Sequence, residues 1–164
     1  MAKAQIQTQP ILLILGLFLA IGILLLGYRG ISAITASAQQ AKITQFYDAI
    51  KKDVFLYKDF GSNSGVISYE LPANHNKICF FQLEGIDPSS QPLCDPATGD
   101  KIACSYWKSK STSVLLFPPT EESMVLSNLQ VAGGAICINV RRSRINVVYE
   151  GKGTSTLITS VAAP

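Results

Sequence analysis

The chain carries no charge at all between Lys3 and Arg29, a stretch of 25 residues. Charged residues make up 15% of the whole, against about 25% in an average soluble domain, and that opening stretch accounts for part of the shortfall. Histidine occurs once, as His75 in the polar turn PANHN. No C-x-x-C, no glycine-rich phosphate loop after a strand and no G-x-S-x-G is present, so the usual signatures of zinc sites, nucleotide sites and serine hydrolases are missing. Asp48 and Asp53 share a helical stretch with Lys51 and Lys52, which reads as a solvated face rather than an acid–base pair. No enzyme activity, cofactor or metal is expected from these residues. The net charge of +3 is too small to point to nucleic acid, and none is expected as a partner.

What the opening has instead is length. Ile11 to Gly27 is an unbroken block of 17 apolar or glycine residues, and a helix from Pro10 to Tyr28 would run roughly 28 Å, close to the roughly 30 Å hydrocarbon core of a bilayer. Secretory signals have shorter cores of about 7 to 15 residues with a small-residue cleavage site close behind. The one such site here, Ala36-Ser37-Ala38, lies well past Tyr28 with Arg29 between. The run is therefore expected to stay on the mature chain as a membrane span over about 10–28. Gly16 and Ala20 form a small-xxx-small pair suited to close approach of another helix.

The helical pattern does not stop at the membrane. From Ile31 to Phe60 there is no proline, and apolar residues recur at helical spacing in two stripes: Ile31, Ile34, Ala38 and Ala41, then Ile43, Phe46, Ile50, Val54 and Tyr57. After Gly61-Ser62-Asn63-Ser64-Gly65 the period changes to two. Strands are expected in ISYEL, KICFFQL, TSVLLF, AICINV, INVVYE and TSTLIT. Two of these runs, AICINV and INVVYE, flank Arg141, Arg142 and Ser143 and suggest a hairpin. A sheet of this kind needs a cover for its apolar face, and Phe46, Ile50, Val54 and Tyr57 supply one. The expected fold class is α+β: a long N-terminal transmembrane helix continuing into an amphipathic helix packed on a mainly antiparallel β-sheet head. The chain divides accordingly into 5–60, the helix, and 61–164, the extracytoplasmic head.

Four cysteines, all beyond Ile78, suit an oxidising compartment. Glu84 to Ser105, with three prolines, reads as a long surface loop. Of three possible connectivities the first choice is Cys94–Cys104, pinning that loop, with Cys79–Cys137 between two strands. Four free thiols remain an alternative. Bridges would place the head outside the cell membrane and the N-terminus in the cytoplasm. Arg141, Arg142, Arg144 and Lys152 offer a possible basic patch at one hairpin end.

The start of the chain resembles archaeal type IV pilin-like proteins. Lys3-Ala4 before Gln5 looks like a class III leader, which implies that a prepilin peptidase removes residues 1–4. QIQTQPILL resembles the mature start Gln-x-Ser-x-Glu-x-x-x-Leu through Gln5 and Leu13, with Gln7 in place of serine and Gln9 in place of glutamate. In that family the glutamate pairs with a neighbouring amino terminus, a role that neutral Gln9 can meet only by hydrogen bonds. The resemblance implies a pilin fold and a structural subunit of a surface filament. Its partners would be the membrane, the peptidase and other pilin-like subunits of the same or different sequence. The alternative is a monomeric membrane-tethered domain that binds outside the cell.

Overall fold

The computed structural model describes residues 9–59, 64–72, 74–120, 122–140 and 142–160. The chain is α+β. A single helix, α1 (Gln9–Asp59), runs for 51 residues without interruption, as expected where no proline removes a donor from the ladder. The described residues form two compact units, one ending at Ala41 and the other beginning at Lys42.

The first unit is the early part of α1. Leu12–Ile31 is a 20-residue stretch apolar enough to cross a membrane, and none of it is buried. Ile31 and Ile34 are also exposed, at 69% and 71%, so among the described residues the first apolar stripe is uncovered. Thr35 directs its hydroxyl back to the Ile31 carbonyl, 2.9 Å away, and so presents no unpaired donor.

In the second unit the later part of α1 buries one face. Ile43, Phe46, Tyr47, Ile50 and Val54 are all buried, Ile50 completely. They lie over seven strands in two sheets. The first sheet orders β1 (Ser64–Glu70), β6 (Arg144–Gly151), β7 (Thr156–Ser160) and β4 (Leu129–Val131) as β1-β6-β7-β4; the second orders β3 (Val114–Phe117), β2 (Lys77–Phe81) and β5 (Ala135–Asn139) as β3-β2-β5. All pairs are antiparallel except β4 with β7. In the first sheet the alternation is clean: Ile145, Val147 and Tyr149 are buried while Arg144 and Asn146 are exposed, as a sheet with one wet face requires. Gly65 permits a close approach there, since a Cβ at that position would lie 2.0 Å from the Tyr57 hydroxyl oxygen. The Tyr57 ring stacks on Tyr149 at 5.5 Å. Thr156 donates to the Val54 carbonyl over 2.6 Å, tying β7 to α1.

The second sheet is covered on both faces. Ile78, Phe80, Val114 and Leu116 join the core under α1, while Cys79, Phe81, Leu115 and Phe117 join a second core with Ala103 and Trp107. Such strands read as continuous apolar runs, and KICFF and VLLF do.

Three sequence expectations need correction. AICINV and INVVYE do not form a hairpin: β5 pairs with β2, and β6 pairs with β1 and β7. The alternating pattern specifies which face is buried, not which strand is the neighbour. Left-handed backbone at Arg142 and Ser143 (φ 52° and 59°) turns the chain from one sheet into the other, with Val140 donating to Asn76 and Leu71 to Ser143. Glu84 to Ser105 is not all loop. It holds two 3-10 turns, Pro88–Ser90 and Pro92–Cys94, and the start of α2 (Lys101–Lys108), whose first N–H groups at Ile102 and Ala103 are capped by the Asp100 carboxylate. Finally, β4 is a strand outside the expected set, because its three residues are too few to show a period.

Candidate functional site

The uncovered stretch of α1 is the longest run of exposed apolar residues among the described residues. Its apolar character goes all the way round between Leu12 and Leu26: Leu13, Phe18, Ile23 and Leu26 are 75%, 69%, 69% and 74% exposed although they point in different directions around the helix. A helix apolar on every side belongs in lipid or among other helices. Gly16 has nothing within 4 Å of where a Cβ would stand, and Ala20, one turn on, is exposed. Gln9 is the first residue of α1, and its side chain lies outside what is described. Lys3, Ala4 and Gln5 lie outside the described residues altogether.

Cys79 and Cys137 are directly opposite each other in the β2–β5 register and are joined by a disulfide. Cys94 and Cys104 are joined by a second, linking the turn before α2 to α2 itself. No free cysteine occurs among the described residues. The basic residues are not brought together. Arg142 and Arg144 stand at the start of β6, and Lys152 follows its far end, about 26 Å away at strand rise; Arg141 lies outside the described residues. Lys152 bonds Glu150 at 2.5 Å, and Arg144 is the register partner of Glu70.

Several polar groups of the head are tied into its frame. Asp100 receives the Lys77 ammonium as well as the two α2 amides, and Lys77 also lies over the Phe117 ring at 4.1 Å. Burial would raise the Asp100 carboxyl, but the bonds from Lys77, Ala103 and Ile102 outweigh it and hold the group below 3.8. Tyr69 donates to Asp53 on α1, and burial pushes the Tyr69 and Tyr149 phenols well above the ordinary range. His75 is half-buried with Nδ1 3.2 Å from the Pro72 carbonyl. Trp107 is wholly buried, stacks on Phe81 at 5.8 Å and donates Nε1–H to the Gln82 carbonyl over 2.8 Å. Among the described residues no three His, Cys, Asp or Glu side chains converge as a metal site.

Open clefts do occur. One of about 530 Å³ lies between α1 and β1, lined by Lys42, Phe46, Ala49, Tyr69 and Glu70. Another, of about 410 Å³, has Cys94 and Cys104 in its wall with Lys101 and Lys108 beside them. Sequence reasoning misses the second cleft. Its signal is the spacing Lys101, Cys104, Lys108, which carries meaning only once that segment is known to be helical.

Fold and site together define a disulfide-bridged α+β protein with one N-terminal helix apolar enough to cross a membrane. No family model, curated protein or solved structure matches the chain.

Proposed function

We propose that this chain is a structural subunit of a cell-surface, type IV pilus-like filament, held in the cell membrane and assembled through the first part of α1. A prepilin-type peptidase removes residues 1–4, and the head stands outside the cell. The observation that carries the reading is the uncovered helix. Leu12–Ile31 already satisfies the length of a bilayer, yet the apolar stripe continues, exposed, through Ile34 and on to Ala38 and Ala41. Anchoring does not need those residues; packing against further helices does. Two disulfides favour an oxidising location for the head.

Gln9 favours the second reading, a monomeric tethered domain, because it offers no charge to pair with a neighbour's amino terminus. Two measurements separate them. Mass spectrometry of the mature protein is expected to find Gln5 at the N-terminus; a start at Gln39 would mean the anchor is lost and would end both readings. In native membranes an Ile34→Cys variant is expected to cross-link to a neighbouring subunit, and electron microscopy to show filaments that vanish with the gene. Absence of both cross-link and filament leaves the monomeric tether.

A further inference from the structure

The two disulfides sit in different chemical surroundings. Cys79 is completely buried and belongs to an apolar cluster with Phe81, Trp107, Leu115 and Phe117. Its partner Cys137 is half-buried on β5. A thiolate attacking Cys137 would have to expel Cys79 as an anion into that cluster, and burial among apolar groups raises a thiol's pKa and makes it a poor leaving group. Cys94 and Cys104, in contrast, both line the open cleft of about 410 Å³. Cys94 is half-buried at the edge of the same apolar cluster and Cys104 is buried at 7% exposure, but neither is sealed within the cluster at 0% as Cys79 is. Lys101 and Lys108 lie three residues before and four residues after Cys104 on α2, line the same cleft and are exposed. Asp95 is the one acidic group on the lining. Two ammonium groups against one carboxylate favour a thiolate at Cys104.

We infer that the Cys94–Cys104 bridge is a reversible thiol–disulfide exchange site, opened by a dithiol that enters this cleft while the rest of the head stays folded. The incoming thiolate forms a bond to Cys94 Sγ as the Sγ–Sγ bond breaks, and Cys104 leaves as a thiolate steadied by Lys101 and Lys108. The second thiolate of the reductant then attacks the mixed disulfide and releases Cys94. Two electrons pass to the protein, the reductant becomes a disulfide, and its two protons end on Cys94 and Cys104. Opening the bridge does not release α2. Trp107 still stacks on Phe81 and donates to Gln82, and Asp100 still caps the helix and holds Lys77. What it frees is the six-residue link, 95–100, between the 3-10 turn and α2. This site does not depend on whether the chain forms filaments.

The test is timed reduction of the full chain in detergent micelles with dithiothreitol, quenched by iodoacetamide and mapped by peptide mass spectrometry, with Trp107 fluorescence reporting whether the head is folded. Cys94 and Cys104 are expected to become labelled together, about tenfold or more faster than Cys79 and Cys137, before any change in fluorescence. Glutathione, a monothiol, is expected to leave its adduct on Cys94 with Cys104 alkylated. Lys101→Gln with Lys108→Gln is expected to slow opening of this bridge about threefold and leave the other untouched. Equal rates for the two bridges, no opening until the head unfolds, or an adduct on Cys104 would each overturn the proposal; an unchanged rate in the lysine variant would overturn the role given to the lysines.

Discussion

One helix contains two opposite solutions to the problem of apolar side chains. In Leu12–Ile31 they surround the axis and none is buried within the chain. In Ile43–Val54 they occupy one stripe, and that stripe is buried against the sheets. The backbone is the same α-helix in both, so helix formation says nothing about the solvent a segment is built for. The angular distribution of apolar residues does. A stripe matches a surface on one side, as the core under α1 provides; a full circumference matches a medium.

The strongest way to break this contrast is to place charge in the first segment. Leu19→Arg combined with Ile23→Arg is expected to disfavour membrane insertion by about 5 kcal/mol or more, read as release of the protein by alkaline extraction of membranes. The unfolding midpoint of the head, followed by fluorescence of the sole tryptophan, Trp107, should not move. If the head destabilises with the anchor, the two segments are not separate in energy.

The converse lesion falls on the head. Replacing Cys79 and Cys137 by alanine removes a bridge across 58 residues, which the chain-entropy account values at about 4 kcal/mol. Urea denaturation in detergent should show that loss, while membrane extraction stays as in the parent. A loss below about 1 kcal/mol would mean the β2–β5 register is held by packing alone.

Within α1 itself the contrast can be sharpened with one substitution made twice. Ile50→Ala opens a void at a position with no exposure and is expected to cost about 3 kcal/mol. Leu24→Ala, at a position 72% exposed, should leave unfolding of the head within about 0.5 kcal/mol of the parent. Similar costs at both sites would contradict the assignment of one residue to a core and the other to a different medium.

These contrasts separate what is legible in the amino-acid sequence from what is not. The uncharged run to Arg29 and the stripe at Phe46, Ile50, Val54 and Tyr57 are legible, because each is a periodic signal many residues long. Alternation at Ile67 and Tyr69 marks a strand for the same reason. Strand partners are not legible: β5 and β6 are adjacent in sequence and both alternate, yet the left-handed pair Arg142 and Ser143 sends them to different sheets. Helix α2 is hidden because it has only eight residues and follows three prolines, so its start depends on one capping side chain rather than on a pattern. Of the candidate site, the exposed apolar surface follows from composition, whereas the cleft at Cys94 and Cys104 depends on α2 and is hidden with it.

The smallest effect tests the electrostatic side of the contrast. The uncharged stretch of α1 has nothing to titrate, so its partition into membranes should not vary between pH 7 and pH 3. The head should respond. Asp100 is held below its ordinary value of 3.8, which means that the folded state binds this proton less readily than the unfolded chain. The stabilisation is therefore fully present above 3.8 and is lost as pH falls through the lower, folded value. Asp100→Ala should remove the α2 cap at a cost of about 1 kcal/mol at pH 7 and make the decline below pH 4 shallower. Asp95 is also held low, by the Ala97 amide and the Thr98 side chain, so part of the decline should persist in that variant. Urea midpoints measured from pH 7 to pH 3 decide the matter: an unaltered slope in Asp100→Ala would move the acid sensitivity away from the knot that joins Lys77, Asp100 and α2.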